Sequence, residues 1–307
     1  MVKSPDLSVE LAGLTLQNPV LAASGTFGYG LEYADFVDPA ALGAVVVKGL
    51  SRHPRPGNPP PRIVETTGGM LNAIGLENVG LEVFLRDKLP WLKERGATVI
   101  VNVYGESVEE YRAVAEGLDG AEGVAMLEIN VSCPNVTAGG MFFGASPQAT
   151  AEVVRAVRGA TRLPIMVKLT PMVTDIVVIA RAAVGAGAVA LSLINTIPGL
   201  AVDLETRRPR LANNVGGLSG PAIKPVALRL VWQVARAVDV PVVGGGGIMT
   251  ARDALEFILV GAAAVQVGTA NFVNPRATLD VLDGIKQYLE KNGHPDLAAL
   301  RGRLETY

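Results

Sequence analysis

The residues best suited to chemistry lie in one stretch near the middle of the chain, Asn130-Val-Ser-Cys-Pro-Asn135, which carries the only cysteine of the sequence. The apolar run that leads into it, residues 123–130, has the length and β-branched content of a buried strand, and Pro134 ends that strand. A thiol is thereby offered at the mouth of a strand. A lone cysteine is more often an inert, buried small hydrophobic residue, so the function of Cys133 depends on what surrounds it.

The composition describes a protein with a large buried interior. The 307 residues are 49% hydrophobic and 18% charged, the formal net charge is −2, and no run of Lys and Arg is suited to nucleic acid. The first ten residues lack the features of a signal peptide, so we expect a cytoplasmic protein. The most apolar window, residues 176–194, contains Arg181 and is broken by Gly185 and Gly187. This pattern favours a helix followed by a strand over a membrane span.

The histidine count narrows the chemistry further. The chain has two, His53 in a proline-rich loop and His294 near the C-terminus. We therefore expect neither a zinc site of the usual Cys/His type nor a triad that uses histidine as its base. Acid–base chemistry would have to come from cysteine, lysine, a carboxylate, a hydroxyl group or a cofactor.

Strand-like apolar runs that alternate with amphipathic stretches predict a parallel sheet built from βα units. An opening hairpin is predicted at residues 8–11 and 15–17, followed by eight strands at residues 20–23, 44–48, 98–103, 125–130, 164–169, 188–193, 241–244 and 264–267. Helices are predicted at residues 31–42, 79–95, 107–118, 147–161, 175–184, 221–238 and 251–260, with a last one starting near Pro275. Eight such units predict an α/β fold of the (β/α)₈ TIM-barrel type, forming a single domain over residues 1–307.

Two insertions depart from the repeat. Residues 49–78 follow the second predicted strand and residues 196–220 follow the sixth, and both are longer than ordinary βα loops. Functional sites of this fold lie on the loops after the strands, so we expect the insertions to cover a site. Surface hairpins without a function are the alternative.

Polar residues or glycines stand at the carboxyl end of almost every predicted strand. In a barrel these ends converge on one mouth, so we expect their residues to share a pocket. They are Ser24, Lys48, Asn102, Asn130, Lys168, Asn195, the glycines of residues 244–247, Gly268 and Thr269. The glycines after the seventh and eighth strands favour a phosphate held by backbone N–H groups, without identifying the ligand.

Two lysines, Lys48 and Lys168, each end an aliphatic strand, where an ammonium group needs an anion. By strand alternation Glu128 lies on the same face as Asn130 and one pleat deeper, so we expect its carboxylate to balance part of this charge. Snorkelling of both lysines into solvent is the alternative.

Three asparagines, Asn72, Asn130 and Asn195, add paired donors and acceptors. Such groups suit a small planar molecule that bears amides or a carboxylate. A cap or turn is the commoner use of a single asparagine, but Asn72 and Asn195 lie at the edges of the two insertions, which favours a role in binding.

Over nearly its whole length the chain resembles the dihydroorotate dehydrogenase family, and within it the NAD-linked class. The resemblance rests on Asn18-Pro-Val-Leu-Ala-Ala-Ser-Gly-Thr-Phe-Gly28, Val47-Lys-Gly49, Gly57-Asn-Pro-Pro-Pro-Arg62, Met70-Leu-Asn-Ala-Ile-Gly-Leu76, Asn130-Val-Ser-Cys-Pro-Asn135 and Gly139-Gly-Met-Phe-Phe-Gly144. Cys133, where other classes have serine, and the last of these segments indicate the NAD-linked class. Glu77 and Tyr104 depart from the family pattern, which has glutamine and a small residue there.

The resemblance implies that the phosphate belongs to FMN, one per chain. The implied flavin-binding residues are Ser24, Lys48, Gly49, Asn102, Asn130, Lys168, Ile194, Gly220, Gly246, Gly247, Gly268 and Thr269. The implied residues for the pyrimidine substrate are Lys48, Asn72, Ala73, Ile74, Gly75, Leu76, Asn130, Asn195 and Thr196. No metal is implied in this chain.

The implied reaction is the oxidation of dihydroorotate to orotate in pyrimidine biosynthesis, with Cys133 as the base that removes the C5 proton and with hydride passing from C6 to flavin N5. A thiol of ordinary pKa, about 8.5, is a reasonable base near neutral pH, and Lys168 would stabilise negative charge on the reduced ring. The family also implies a homodimer and a partner subunit that carries FAD and a 2Fe-2S cluster, together a heterotetramer that passes electrons to NAD.

The residues, taken without the resemblance, leave three other functions open. One is another flavin-dependent pyrimidine oxidoreductase, against which residues 72–76 argue. Another is a phosphate-sugar isomerase or lyase on the same barrel, with Lys168 forming a Schiff base. The third is a flavin-binding subunit without catalysis of its own.

Overall fold

The structure is a computed structural model that describes residues 4–132 and 143–307. Numbered along the chain, the strands of these residues are β1 (Val9–Leu11), β2 (Leu14–Leu16), β3 (Val20–Ala22), β4 (Ala44–Val46), β5 (Ile63–Thr66), β6 (Gly69–Asn72), β7 (Val99–Val103), β8 (Val124–Asn130), β9 (Ile165–Lys168), β10 (Ala190–Leu193), β11 (Ile197–Leu200), β12 (Val202–Asp203), β13 (Arg208–Pro209), β14 (Val215–Ser219), β15 (Val242–Gly245) and β16 (Ala264–Val267). The α-helices are α1 (Gly80–Val83), α2 (Leu89–Glu94), α3 (Val108–Leu118), α4 (Pro147–Ala160), α5 (Ile176–Gly185), α6 (Lys224–Ala235), α7 (Ala251–Leu259), α8 (Ala270–Val273) and α9 (Ala277–Asn292).

Within the described part of the chain, eight parallel strands close into a barrel in the order β3-β4-β7-β8-β9-β10-β15-β16. The predicted (β/α)₈ barrel is therefore confirmed, and each barrel strand lies within two residues of its predicted position. Most of these strands are buried along their whole length, as in β9 and β16. Continuous apolar runs are what parallel strands need when helices cover the sheet on one face and the barrel interior lies on the other.

The hairpin of β1 and β2 lies outside the barrel repeat, as predicted, and closes one end of the barrel. Its Leu11 and Leu16 are fully buried and pack in one apolar cluster with interior residues such as Leu21, Ile100 and Met166. Burying these two leucines seals the amino-terminal end of the barrel, because the side chains of the hairpin fill it. Among the described residues, the barrel is open at the carboxyl ends of its strands.

The main helices begin at the residue types expected of helix N-caps. The side chains of Ser107, Ser146 and Asp175 accept backbone hydrogen bonds at the starts of α3, α4 and α5. Thr250 and Asp253 form a reciprocal capping box at the start of α7. Each such cap satisfies N–H groups that the helix itself leaves without partners.

The predicted helix at residues 31–42 is wrong. The segment holds two short 3₁₀ turns, Leu31–Tyr33 and Pro39–Ala41. Pro39 has no N–H to continue a helix, and the residue before it, Asp38, is extended and caps the second turn instead. The short helix α8 was not predicted, because four residues carry no readable periodicity.

The helical region after the first insertion is interrupted. Between α1 and α2 the segment Phe84–Lys88 forms a π-helical turn. Pro90 lies at the start of α2 and cannot donate a hydrogen bond to the preceding turn. The wider π-helical turn lets the chain stay helical although Pro90 cannot donate its backbone hydrogen bond.

The two insertions meet in one antiparallel sheet over the barrel mouth. Its strand order is β11-β14-β6-β5, so β6 from the first insertion pairs with β14 from the second. In this register Asn72 lies opposite Gly217, and Ser219 lies opposite Met70. This arrangement agrees with the expectation that the insertions cover a site, because residues of both insertions line the pocket described below.

Candidate active site

A pocket of about 650 Å³ opens at the carboxyl ends of the barrel strands, beneath the four-stranded sheet. It brings together all the predicted flavin- and substrate-binding residues. Those that line it are Ser24, Lys48, Gly49, Asn72, Ala73, Ile74, Gly75, Leu76, Asn102, Asn130, Lys168, Ile194, Asn195, Thr196, Gly220, Gly246, Gly247, Gly268 and Thr269. The predicted shared pocket is thus present, while the role of each residue in it stays a prediction.

Cys133, the predicted base, lies outside the described residues. The chain is held at the pocket up to Ser132, the residue before it. The Ser132 hydroxyl donates to Asn130 Oδ1 (2.7 Å) and accepts from Asn195 Nδ2 (2.7 Å). Asn130 and Asn195 both line the pocket. These two hydrogen bonds therefore connect Ser132 to two residues that are predicted to bind the substrate.

Beneath the pocket, Glu128 lies fully buried inside the barrel, on the same face of β8 as Asn130, as predicted. Its Oε2 is 3.9 Å from the Lys168 ammonium nitrogen, so the expected charge partner is present. The shorter contacts come from neutral groups: Asn102 Nδ2 donates to Oε2 (2.6 Å), while the Ser192 hydroxyl (2.7 Å) and Gln266 Nε2 (2.6 Å) donate to Oε1. The carboxylate is fully hydrogen-bonded, which a buried charge requires.

The glycine loop after β15 has the form of a phosphate cradle. Gly246 and Gly247 have φ angles of +121° and +79°, which side-chain-bearing residues rarely adopt. A Cβ on Gly247 would lie 2.8 Å from the carbonyl oxygen of Gly220 and 2.9 Å from the backbone nitrogen of Lys224. Glycine lets the loop pack this closely against the neighbouring backbone and adopt φ angles that can direct N–H groups toward a bound anion. The residues therefore fit a phosphate group held by main-chain N–H donors.

The lysine nearest to this cradle is already paired. Lys224 Nζ donates to Asp253 (2.5 Å) and to Glu256 (2.8 Å), and these hydrogen bonds raise the pKa of Lys224 above its ordinary value. Burial raises the pKa of Asp253, but its bonds from Lys224, Met249 and Thr250 outweigh burial and lower it overall. This ion pair braces the start of α6 against α7, so backbone groups are left as the main donors of the cradle.

Several pocket residues escaped the sequence prediction. Gln266 lines the pocket and bonds Glu128, and the hydroxyl of Ser219 accepts from that of Thr269 (2.8 Å). Gln266 had a readable signal, because it is the polar residue inside the apolar strand β16. Ser219 had none, because its place depends on the pairing of β14 with β6.

The two departures from the family pattern occupy different places. Glu77 lines the pocket and is ion-paired with Arg62, which lines it too. Tyr104 is buried and lies edge-on to Tyr111, with the Arg55 guanidinium over its ring at 5.6 Å. Glu77 therefore changes the charge of the pocket wall, whereas Tyr104 belongs to the packing behind the wall.

Two absences hold for the described residues. Across residues 4–132 and 143–307, His, Cys, Asp and Glu side chains form no group of three that could hold a metal ion. In the same ranges, the helices are all too short or too polar to cross a bilayer.

The fold and pocket define a TIM-barrel protein with a large ligand pocket at the carboxyl ends of its strands, roofed by an inserted sheet. The family model described as dihydroorotate dehydrogenase matches residues 6–289. The chain belongs to the dihydroorotate dehydrogenase family. This is a family of flavin-dependent oxidoreductases, so membership implies a flavin cofactor.

Individual relatives agree. The chain is 61% identical over 302 residues to a protein of Geotalea uraniireducens named dihydroorotate dehydrogenase B (NAD(+)), catalytic subunit, covering 98% of this chain and 99% of the relative. A protein of Geobacter sulfurreducens with the same name is 59% identical over 305 residues, covering 99% and 100%. A crystal structure of dihydroorotate dehydrogenase from Eimeria tenella in complex with ferulenol has a TM-score of 0.80 at 24% identity, covering 97% of this chain and 88% of that one, which shows the shared fold.

Proposed function

We propose that this chain is the catalytic subunit of an NAD-linked dihydroorotate dehydrogenase, which uses FMN to oxidise dihydroorotate to orotate in pyrimidine biosynthesis. The observation that carries the proposal is the pocket itself. Every residue proposed to bind flavin or substrate lines one cavity at the carboxyl end of the barrel, and the chain belongs to the dihydroorotate dehydrogenase family. We also propose that the chain acts as one FMN-binding domain in the cytoplasm.

The residues fit FMN at both ends of the molecule. The backbone around Gly246 and Gly247 would hold its phosphate. Around the ring, Lys168 supplies a cation and Asn102 supplies an amide whose oxygen is buried and has no hydrogen-bond partner among the described residues. A buried, unsatisfied acceptor that lines a pocket is expected to be satisfied by the ligand. FMN supplies a hydride acceptor, which the side chains of this protein cannot provide.

The dihydroorotate site is formed by the asparagines and the first insertion. Asn72 lies at the end of β6, where its Nδ2 donates to the Gly217 carbonyl (3.4 Å), and Asn195 is oriented by Ser132. These amides, with Asn130 and Lys48, offer both donors and a cation to the ring amides and carboxylate of the substrate. The inserted sheet lies above them and covers this part of the pocket.

Cys133 is proposed as the base that takes the C5 proton of dihydroorotate. The chain offers few rivals: of the two histidines, neither lines the pocket, and Glu128 is fully buried and does not line it either. Lys48 and Lys168 contribute positive charge to the pocket, which favours ionisation of a nearby thiol. Lys168 is proposed to stabilise the negative charge that develops on the flavin during the reaction.

Substitution of Cys133 tests the assignment. The purified protein should be yellow and should oxidise dihydroorotate with an artificial electron acceptor. Cys133→Ala should keep its FMN and lose most turnover at neutral pH, since a general base contributes about 10²- to 10⁴-fold. Cys133→Ser should regain part of the rate as the pH rises, because a hydroxyl ionises at higher pH than a thiol. A Cys133→Ala variant with near-wild-type rates would show that another group is the base.

The relatives are named catalytic subunits, which implies a partner subunit for them. For this chain we propose a homodimer that binds an electron-transfer subunit carrying FAD and a 2Fe-2S cluster, forming a heterotetramer that reduces NAD. Co-purification from the native source, followed by absorbance spectra of any second subunit, tests this. Isolation of the chain alone, fully active with NAD, would contradict it.

A further inference from the structure

Glu128 is a buried carboxylate that the proposed reaction does not use, although it contacts three side chains of the pocket wall, the amides of Asn102 and Gln266 and the Lys168 ammonium group. It receives hydrogen bonds from three barrel strands, through Asn102 of β7, Ser192 of β10 and Gln266 of β16. Asn102 and Gln266 line the pocket, whereas Ser192 does not. Glu128 itself has no exposed surface. It therefore makes no direct contact with a ligand in the pocket.

A carboxylate accepts hydrogen bonds and cannot donate them. Each amide beside it must consequently turn its nitrogen toward Glu128 and its oxygen away. This is the orientation of Asn102, whose Nδ2 lies 2.6 Å from Glu128 Oε2 and whose Oδ1 is buried without a partner among the described residues. Gln266 likewise points its Nε2 at Glu128 Oε1, at 2.6 Å. Without the carboxylate, nothing in these contacts would select oxygen over nitrogen as the atom presented to the ligand.

We infer that Glu128 is a positioning residue that fixes the amide polarity of Asn102 and Gln266, so that the pocket wall presents acceptor oxygens beside the Lys168 ammonium. This inference rests on the proposed function. Acceptors next to a cation complement a ring edge that carries an N–H donor beside carbonyl oxygens, as the pyrimidine part of a flavin does. The N–H of that edge would meet repulsion from an amide nitrogen that had turned over.

Exchanging the two partner groups tests this directly. In Glu128→Gln the new amide nitrogen replaces one of the two carboxylate oxygens, and it then meets the amide nitrogen of either Asn102 or Gln266. That amide has to rotate by about 180° so that its oxygen accepts from the new nitrogen. In Asn102→Asp two carboxylates would meet at 2.6 Å. The double variant Glu128→Gln/Asn102→Asp moves the negative charge from one strand to the next. The amide nitrogen introduced on β8 can then donate to the carboxylate introduced on β7, whose second oxygen again faces the pocket. The amide oxygen on β8 remains as the acceptor for Ser192 and Gln266.

The readout is FMN retention, measured as the rise in FMN fluorescence when the purified holoenzymes are diluted. We expect FMN binding at least tenfold weaker in each single variant, and within about threefold of wild type in the double variant. Ser192→Ala is the matched control. It removes one hydrogen bond from the same carboxylate, leaves the amide polarity intact and should stay within about threefold of wild type.

Three outcomes would overturn the inference: FMN binding unchanged in Glu128→Gln, a double variant no better than Glu128→Gln, or a tenfold loss in Ser192→Ala. If Glu128→Gln is insoluble, the double variant decides alone, because soluble yellow protein supports the inference and insoluble protein overturns it. A wild-type protein that binds no FMN would instead refute the proposed function. The two failures are therefore distinguishable.

Discussion

Replacing Gly247 by alanine should damage both the stability of the protein and its hold on flavin phosphate. The φ angle of +79° is strained for an L-residue, which costs about 1–2 kcal/mol. The added Cβ would also lie 2.8 Å from the Gly220 oxygen and 2.9 Å from the Lys224 nitrogen. Both are backbone atoms, which cannot rotate away, so overpacking adds about 1–3 kcal/mol. We expect a total loss of about 3 kcal/mol in the free energy of unfolding.

Gly293→Ala is the matched control for the backbone contribution. Gly293 also has a left-handed conformation, with φ +69°, at the end of α9, but a Cβ there would have no atom within 4 Å. It should lose only about 1–2 kcal/mol. Urea unfolding of both flavin-free variants measures the difference, which isolates the steric overlap at Gly247.

Flavin binding gives the second measurement. If the loop shifts to relieve the overlap, one main-chain bond to the phosphate is lost, which is worth about 1.5–3 kcal/mol to a charged acceptor. FMN binding should then weaken by a factor of about 10 to 100 in Gly247→Ala and stay unchanged in Gly293→Ala. Equal stability losses in the two variants would refute the steric argument, and unchanged FMN binding would refute the position of the phosphate.

Three further predictions concern side-chain hydrogen bonds. Asp253→Asn should lower the free energy of unfolding by about 1–2 kcal/mol at pH 7, because it removes the cap of α7 and the ion pair with Lys224. The pKa of Asp253 is lowered in the folded state, so this stabilisation is present above the ordinary pKa of 3.8 and is lost as the pH falls through the folded-state pKa. Urea unfolding at pH 3 should therefore show a smaller difference between variant and wild type. Burial raises the pKa of Tyr29 to about 12, so the stability that its neutral phenol contributes is present below pH 10 and is lost as the pH rises toward 12. In Tyr29→Phe the free energy of unfolding should therefore fall less steeply between pH 10 and 12. The same dependence on pH in variant and wild type would contradict this. Ser132→Ala removes the hydroxyl that orients the side chain of Asn195, so steady-state kinetics should show KM for dihydroorotate raised about tenfold. FMN content should stay unchanged, because the backbone N–H of Ser132 still donates to Asn130 Oδ1 (3.2 Å). An unaltered KM would show that the Asn195 amide is held by other contacts.

The barrel was predictable from the sequence because each strand is a short apolar run of its own. The fold class and the eight strand positions followed from that local pattern, and so did the shared pocket at the strand ends. Glu128 followed from simple alternation along β8. The segment at residues 31–42 misled the prediction because its apolar spacing looked helical, while the conformation is decided by the proline at position 39.

The rest depended on contacts between distant parts of the chain. Nothing near Ser219 or Asn72 in sequence indicates that β14 pairs with β6, and this pairing brings both residues to the pocket. Likewise, the polarity of the Asn102 amide is decided by a carboxylate 26 residues away on the next strand. Propensity and periodicity describe neighbours along the chain, so they cannot reveal such partners.

The roof of the pocket has a consequence for the order in which the molecule can form. Asn72 and Gly217, which are hydrogen-bonded across β6 and β14, are 145 residues apart. A ribosome adding about 5–20 residues per second needs at least several seconds to deliver the second insertion after the first. During that interval the β5–β6 hairpin has no partner strand, and an isolated hairpin is at best marginally stable. The side of the pocket that lies under the sheet is therefore completed only after most of the barrel has been synthesised, and a ligand arriving earlier would meet an uncovered site.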